Sequence, residues 1–293
     1  MSELLTFTRG VPADESFAVD ELIACAEKAL RDHWATILQY HPPRGFLPLW
    51  EAIAEREGVP VERVILDNGS IHLLDSLIRT ATVPGDAVLV ERPTYDRTIN
   101  ALRRAGLDVH GIPMYDDGPD LDALTEAVER FSPRLFYTIP DFQNPTGATM
   151  SDARREAIVE LADRHGMRIV ADLPYRPLRY WGNEPRPIHA FRGAPIVRMS
   201  SFSKLISPGM RVGWMIGPPA VLDPMVELAG AAYICPSMVP QGVVYEFIRR
   251  GRFEPTIERL KALYGPRLRA STRSTGTCPK RTTFGLRAAS SSG

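Results

Sequence analysis

Short apolar runs alternate with amphipathic stretches along most of the chain from about residue 60. The apolar runs predict strands at 64–66, 87–90, 109–112, 135–139, 168–171, 196–199 and 212–216. Helical spacing of apolar residues between many of them predicts helices at 70–80, 94–104, 121–131 and 151–165. Nearly continuous apolar strands that alternate with helices indicate a mostly parallel sheet covered on both faces.

The segment before this alternation predicts an amphipathic helix over residues 14–34, with Asp14 or Ser16 as its cap. Its regularly spaced apolar residues are Phe17, Leu22, Ile23, Ala26 and Leu30. Another helical pattern covers residues 252–264. From residue 266 to 293 the chain has no acidic residue, ten serines and threonines, and no apolar periodicity. Such a composition favours disorder, and the abrupt change also suits an out-of-frame or truncated tail.

The composition is that of an ordinary globular protein, with 44% apolar and 24% charged residues. Lysine plus arginine balances aspartate plus glutamate at 35 each, so bulk charge gives no reason to expect nucleic acid or an anionic membrane as partner. The chain has no apolar run of membrane-spanning length and no secretory leader pattern. Its three cysteines lie far apart, and its histidines lack metal-ligand spacing. We expect a cytoplasmic protein without a metal.

A dense group of polar side chains follows the strand predicted at 196–199: Ser200-Ser201-Phe202-Ser203-Lys204, with Arg211 shortly after. A lysine forms a Schiff base only as the free amine, which burial or a nearby cation provides by lowering its pKa. Hydroxyl groups and a forked guanidinium suit phosphate oxygens. The segment therefore fits an aldehyde cofactor that bears a phosphate, although a single lysine is more often a solvated surface charge.

Further candidate residues lie in loops that follow predicted strands, where open α/β sheets bind their ligands. Asn144 lies in an Asn-Pro-Thr-Gly turn, and the strand at 168–171 ends in Asp172, with Tyr175 three residues later. A carboxylate that faces a pyridine nitrogen keeps it protonated and makes the ring an electron sink. Gly69 and Ser70 precede a helix, whose first N–H groups offer a phosphate site. Taken singly, each feature also has an ordinary structural explanation. Asn144 can belong to a simple turn, Asp172 can be a structural charge, and Gly69-Ser70 can be the start of any helix.

Together these elements resemble the class I/II aminotransferases, a group of fold-type I enzymes that use pyridoxal 5′-phosphate (PLP). In chain order the matching elements are Gly69-Ser70, Glu91-Arg-Pro-Thr-Tyr95, Asn144-Pro-Thr-Gly147, Asp172-x-x-Tyr175, and Ser201-x-x-Lys204 with Arg211. The resemblance covers about residues 5–264 and is most similar to the branch with 2-aminoadipate and broad-specificity aminotransferases. It implies a three-layer α/β/α large domain with a mostly parallel, mixed sheet, and transfer of an amino group from an α-amino acid to a 2-oxo acid.

The resemblance also implies a role for each matching residue. Lys204, Asp172 and Tyr95 form the catalytic group: Lys204 holds PLP as a Schiff base, Asp172 pairs with the ring nitrogen, and Tyr95 stacks on the ring. The implied cofactor-binding residues are Gly69, Ser70, Ile71 (through its backbone N–H), Tyr95, Asn144, Asp172, Tyr175, Ser201, Ser203, Lys204, Arg211 and Tyr40. Gly10 and Asn144 would contact the substrate.

In this family Tyr40 matches a tyrosine that reaches the partner subunit's phosphate site, so the resemblance implies a homodimer with shared active sites. The expected domains are an N-terminal arm and helix (1–45), a PLP-binding large domain (46–250), the start of a small domain (251–265) and the tail (266–293). The small domain normally carries the arginine that grips the substrate α-carboxylate. We expect that domain to be lacking here.

The same scaffold supports other PLP chemistry, because the cofactor carries the reactivity and the pocket selects the bond that breaks. The alternatives are a β-lyase, a decarboxylase, an amine oxidase, or a truncated inactive or non-catalytic protein of this fold.

Overall fold

The computed structural model describes residues 10–274, with side chains described to residue 269. The helices are α1 (Val19–Ile37), α2 (Leu47–Glu57), α3 (Ser70–Ala81), α4 (Asp96–Arg104), α5 (Leu121–Phe131), α6 (Asp152–Arg164), α7 (Pro219–Tyr233), α8 (Met238–Arg249) and α9 (Phe253–Ser274). The strands are β1 (Val64–Asp67), β2 (Ala87–Arg92), β3 (Asp108–Tyr115), β4 (Gly118–Pro119), β5 (Leu135–Thr138), β6 (Arg168–Asp172), β7 (Ile196–Ser201) and β8 (Gly213–Ile216).

The strands form one mixed sheet in the order β1-β8-β7-β6-β5-β2-β3-β4. Strands β3, β2, β5, β6 and β7 run parallel to one another, whereas β8 pairs antiparallel with both β7 and β1. The short β4 is also antiparallel to β3. The predicted mostly parallel, mixed sheet is confirmed.

Alternate residues of the central strands face two separate cores, which makes the fold three-layered. Leu135 and Tyr137 of β5 pack with helices α3, α4 and α7 on one face. Phe136 between them packs with α5 and α6 on the other face. All three side chains are fully buried, as expected for a strand covered on both faces.

A third core lies where β1 and β8 meet helices α1, α2, α8 and α9. Cys25 of α1, Ile53 of α2, Val244 of α8 and Ile257 of α9 belong to this one buried cluster. The first and last described helices therefore pack together with part of the sheet. The division of the chain at residues 45 and 251 stays a prediction.

The prediction for the first helix was wrong in its start and in its buried face. Asp14–Ser16 forms a separate 3-10 turn, and α1 begins at Val19 without a side-chain cap, because the chain is extended at Phe17. The side chains of α1 that enter the core are Cys25, Ala29 and Ile37. Ile23 and Leu30, expected on the buried face, are 62% and 43% exposed.

Helix α9 extends beyond the expected end at residue 264 and continues through Pro266 to Ser274. The tail that was expected to be disordered from residue 266 therefore begins within this helix. Tyr264 packs in the third core and Leu268 is also buried, so tertiary burial accompanies the helix where composition suggested disorder. Residues 275–293 lie outside the described residues.

Helices α2, α7 and α8 were not identified in the sequence. Helix α2 has a proline in its first turn, a position that proline favours, whereas α7 contains Pro224 in its interior, where a proline argues against a helix. Among residues 10–274, no helix combines the length and apolar character needed to cross a bilayer.

Candidate active site

The predicted site residues lie at the carboxyl edge of the parallel strands. Strand β6 ends at Asp172, which pairs in register with Met199 of β7. Strand β7 continues to Ser201, and a 3-10 turn over Phe202–Lys204 follows directly. Asp172 and Lys204 therefore emerge at the same edge of neighbouring strands, where open α/β sheets bind ligands.

Asp172 is buried, and only one of its carboxylate oxygens is hydrogen-bonded. The hydroxyl of Tyr137 donates to Oδ2 at 2.7 Å. Oδ1 is buried and has no hydrogen-bond partner among the described residues. Burial raises the pKa of Asp172 to about 7, against a smaller lowering by the Tyr137 hydroxyl. A buried acceptor without a donor is costly, so this oxygen calls for a donor from a bound group.

Two tyrosines lie close enough to Asp172 for its charge to raise their pKa values, and one of them is hydrogen-bonded to Asn144. The Tyr175 hydroxyl is hydrogen-bonded to the Asn144 side chain, and burial raises the pKa of Tyr175. Tyr95 is half-buried, and its pKa is raised by burial and by the charges of Asp96 and Asp172, while the charge of Arg211 lowers it. The charge interactions with Asp172 and Arg211 place Tyr95 near both of these groups.

The Lys204 amine is largely shielded from solvent and donates to the carbonyl oxygen of Gly10 at 2.7 Å. Burial lowers the pKa of the Lys204 amine. No carboxylate forms an ion pair with it within residues 10–269, so its positive charge has no direct counterion there. A larger fraction of such an amine is in the neutral, nucleophilic form near pH 7 than of a surface lysine. The structure also brings the Gly10 segment next to Lys204.

A polar cup lies beside this lysine, between the start of α3 and the loop after β7. Ser201 and Ser203 are hydrogen-bonded through their hydroxyls at 2.8 Å. The Arg211 guanidinium donates to the Asn68 carbonyl at 3.0 Å, immediately before α3. In α3 the earliest N–H groups that bond back to Gly69 are those of His72 and Leu73, which leaves the N–H groups of Ser70 and Ile71 available.

Two glycines permit the close approach of backbone and guanidinium in this cup. Gly69 has φ +94°, and a Cβ built there would collide with the Arg211 guanidinium. A Cβ on Gly213 would lie 2.5 Å from the Ser70 nitrogen. With hydroxyl, guanidinium and helix N–H donors converging, the cup suits a phosphate dianion.

Glu91 and Gln143 join the loops that carry Tyr95 and Asn144. Glu91 is fully buried, and burial raises its pKa to about 7. It accepts hydrogen bonds from the Ile139 N–H at 3.2 Å and from the Gln143 amide at 3.0 Å. The same amide donates to the Pro93 carbonyl at 2.7 Å. From the sequence alone, Glu91 could support the loop that carries Tyr95 or be a solvated charge, because its partner Gln143 lies 52 residues away.

A buried ionic cluster links the loop that contains Asn144 to the segment that contains Tyr175. No pattern in the sequence predicted it. Asp141 accepts from Arg155 at 2.9 Å, from Arg176 at 2.9 Å and from Arg179 at 3.2 Å. Asp141 and Arg155 are fully buried. Arginines at helical or loop positions have no special spacing, so only tertiary contacts identify the cluster.

Tyr40 is not brought to this group: it lies in the loop between α1 and α2 and is 76% exposed. No cluster of histidine, cysteine and carboxylate side chains that could hold a metal ion occurs in the described part of the chain.

The residues present fit PLP. The unpartnered Asp172 oxygen matches a protonated ring nitrogen, the Asn144–Tyr175 pair offers donors to a phenolic oxygen, and the cup formed by α3 and Arg211 fits the phosphate.

The chain is also similar to known proteins. Residues 2–253 match the family model described as "Aminotransferase class I and II". A 2-aminoadipate transaminase of Thermus thermophilus is 35% identical over 91% of this chain and 68% of its own length. Aromatic-amino-acid aminotransferase 1 of Thermococcus litoralis is 32% identical over 91% of this chain and 67% of its own.

Among solved structures, the α-aminoadipate aminotransferase LysN of Thermus thermophilus, complexed with N-(5′-phosphopyridoxyl)-L-leucine, superposes with a TM-score of 0.88 at 32% identity. That match covers 95% of this chain and 75% of the other. The chain belongs to the class I and II aminotransferases, which are PLP-dependent transaminases.

Proposed function

We propose that Lys204 carries PLP in this chain and that Asp172 pairs with the cofactor's ring nitrogen. Bound PLP supplies an electron sink that makes the Cα–H bond of an amino acid acidic. The observation that carries the proposal is the unpartnered, buried oxygen of Asp172, at the same sheet edge as the desolvated amine of Lys204.

Lys204 then acts as the proton carrier. Because burial lowers the pKa of its amine, a larger fraction is neutral near pH 7 than for a surface lysine. Once the amino group of the substrate has replaced Lys204 on the cofactor, the freed neutral Nζ would take the proton from the substrate Cα and pass it to the cofactor carbon to which Lys204 had been bonded. The Gly10 carbonyl, which accepts from Nζ at 2.7 Å, orients the amine between these roles.

The other residues hold and orient the cofactor. Tyr95 stacks on the ring, while Asn144 and Tyr175 donate to its phenolic oxygen. The remaining contacts hold the phosphate and come from Ser70, the Ile71 N–H, Ser201, Ser203 and Arg211. The Gln143 amide donates to Glu91 and to the Pro93 carbonyl, and these bonds hold the loops of Tyr95 and Asn144 in fixed positions relative to each other.

The amino donor is an α-amino acid with an acidic or aromatic side chain, and the acceptor is a 2-oxo acid. The similarity to a 2-aminoadipate transaminase and to an aromatic-amino-acid aminotransferase supports this choice. The Gly10 segment borders the substrate, because its carbonyl contacts the Lys204 amine.

We also propose a homodimer in which Tyr40 enters the partner's phosphate site. Tyr40 is 76% exposed in the single chain, an unusual state for a large aromatic side chain. Apolar residues of α1, which precedes Tyr40 in the chain, are exposed as well.

A trapping experiment tests the lysine assignment, because the chain has only four lysines: Lys28, Lys204, Lys261 and Lys280. The protein is mixed with PLP and reduced with borohydride, and the modified peptide is identified by mass spectrometry. We expect the added mass on Lys204, no such mass at position 204 in Lys204→Ala, and unchanged trapping in Lys28→Ala. Lys28 is a matched control because it lies in a surface ion pair with Asp32. Trapping mainly on another lysine would contradict the proposal.

A further inference from the structure

A cavity of about 490 Å³ lies at the amino edge of the sheet, opposite the edge with Asp172 and Lys204. Arg168, the first residue of β6, and Arg134, which directly precedes β5, line it. The carboxyl end of α3 and the first turn of α7 complete its wall. Strand β6 separates Arg168 from Asp172 by about 13 Å, since a strand rises about 3.3 Å per residue.

The two arginines give this cavity an unbalanced positive charge. The Arg168 Nε is buried and has no hydrogen-bond partner among the described residues. Burial and the nearby charge of Arg134 both lower the pKa of Arg168. The carboxylate in the cavity wall, Asp86, lies 3.8 Å from the Arg134 Nε and already accepts from the Val83 N–H at 2.9 Å. One carboxylate thus faces two guanidiniums.

The start of α7 adds a separate attraction for anions. Pro218 caps the helix and Pro219 is its first residue. The first N–H groups to bond back to Pro218 are those of Val221 and Leu222. The Ala220 N–H has no backbone acceptor in the described part of the chain, and Ala220 lines the cavity. The amino end of a helix is also the positive end of its dipole.

We propose that this cavity binds a small multivalent anion, a phosphate ester or a polycarboxylate, held by Arg168, Arg134 and the Ala220 N–H. The hydroxyls of Thr80 and Thr82 donate to carbonyls of their own helix, so they supply no donor to the ligand. An anion between the guanidiniums relieves their mutual repulsion and supplies acceptors to Arg168. This site is independent of the proposed roles of Lys204 and Asp172.

Calorimetric titration of the full chain tests the proposal, with PLP added first so that the cofactor's phosphate cup is filled. Pyrophosphate and citrate serve as separate probes of the phosphate and carboxylate sources. We expect one of them to bind at millimolar concentrations or below, more weakly as salt rises. Arg168→Gln and Arg134→Gln should each weaken binding about tenfold or more, since hydrogen bonds to charged groups contribute that much.

The matched control is Arg104→Gln, which removes an exposed arginine of α4 and should leave binding unchanged. Arg134→Gln is the variant that should keep the fold, because the Arg134 side chain is 65% exposed, so a loss of binding in it is not due to misfolding. The proposal fails if neither probe binds, if all three variants bind as the parent does, or if binding is lost equally in Arg104→Gln. It also fails if binding requires Arg211, because the anion would then occupy the cofactor cup.

Discussion

At the residue scale, Tyr137 is the side chain that sets the charge of Asp172. Its hydroxyl donates to the carboxylate at 2.7 Å inside the core, and this bond lowers the pKa of Asp172 against the effect of burial. We expect Tyr137→Phe to raise that pKa further, so that the carboxyl is neutral and pairs poorly with a protonated ring nitrogen. PLP affinity should fall about tenfold, and the free energy of unfolding by about 1–2 kcal/mol, because a buried acceptor loses its donor.

Fluorescence titration with PLP and urea unfolding measure both effects. Tyr115→Phe is the control, since Tyr115 also donates to an aspartate, Asp120, at 3.0 Å but is 55% exposed. Equal losses in the two variants would show that the Tyr137 hydroxyl has no special role.

The raised pKa of Asp172 also predicts how stability depends on pH in the PLP-free protein. The carboxyl ionises near pH 4 when unfolded and at about 7 when folded, so stability is lost as pH rises from about 4 to about 7. Asp172→Asn removes this loss. Between pH 4 and pH 8 the parent should lose about 2–4 kcal/mol more than the variant, because each pKa unit corresponds to about 1.4 kcal/mol.

Urea unfolding at several pH values measures that difference. Glu91, whose pKa is also raised to about 7, contributes the same trend in both proteins, and most of it cancels because burial is the main cause of its shift and the charge of Asp172 is the smallest of the named causes. Glu129→Gln, at an exposed position of α5, should behave as the parent does. Identical pH profiles for the parent and Asp172→Asn would contradict the prediction.

At the element scale, the Asp141 cluster couples the loop after β5 to the segment after β6. Asp141→Asn would leave the buried guanidinium of Arg155 without its countercharge and would remove the shared carboxylate from Arg176 and Arg179. Removing one partner of a buried ion pair costs about 3–5 kcal/mol, so a loss of that size in the free energy of unfolding is expected.

Glu184→Gln is the matched control for this cluster. Glu184 also pairs with Arg176, at 2.8 Å, but its side chain is 60% exposed. Exposed pairs contribute about 0–1 kcal/mol, so chemical denaturation should separate the two variants clearly. Comparable losses would mean that Asp141 does not act through its burial.

The same scale shows why some elements were predictable. The bounds of α5 follow from its own apolar spacing and its Asp120 cap, whose carboxylate accepts from two N–H groups. The start of α1 has no such cap, and the helix carries apolar side chains on an exposed face as well as on its buried face. Periodicity alone therefore does not show which face of α1 is buried. Packing against α8 buries the face that carries Cys25 and Ala29.

At the scale of the whole molecule, α1 presents an apolar surface to solvent. Val19, Ile23, Leu30 and Trp34 are all at least 43% exposed and lie within an arc of about 60° at 3.6 residues per turn. We expect this surface to be covered in the proposed homodimer. Ile23→Glu with Trp34→Glu should shift the protein from dimer to monomer, because charged groups are costly in an apolar interface.

Light scattering after size-exclusion chromatography measures the mass, and circular dichroism checks that the fold is kept. Arg104→Glu, at an exposed position of α4, controls for added negative charge. A parent protein that is monomeric at all concentrations, or a double variant that remains dimeric, would contradict the prediction.

The sequence by itself determined the alternation of strands and helices and the residue types at the site. Burial imposes periods of two and 3.6 residues locally; Asp172 is the last residue of one such strand, and Lys204 comes three residues after another. Tertiary structure alone decided that antiparallel β8 lies between β1 and β7, and that Tyr137 meets Asp172 from 35 residues away. It also decided that three arginines converge on Asp141. These contacts depend on how distant segments pack, and no local period encodes which segments become neighbours.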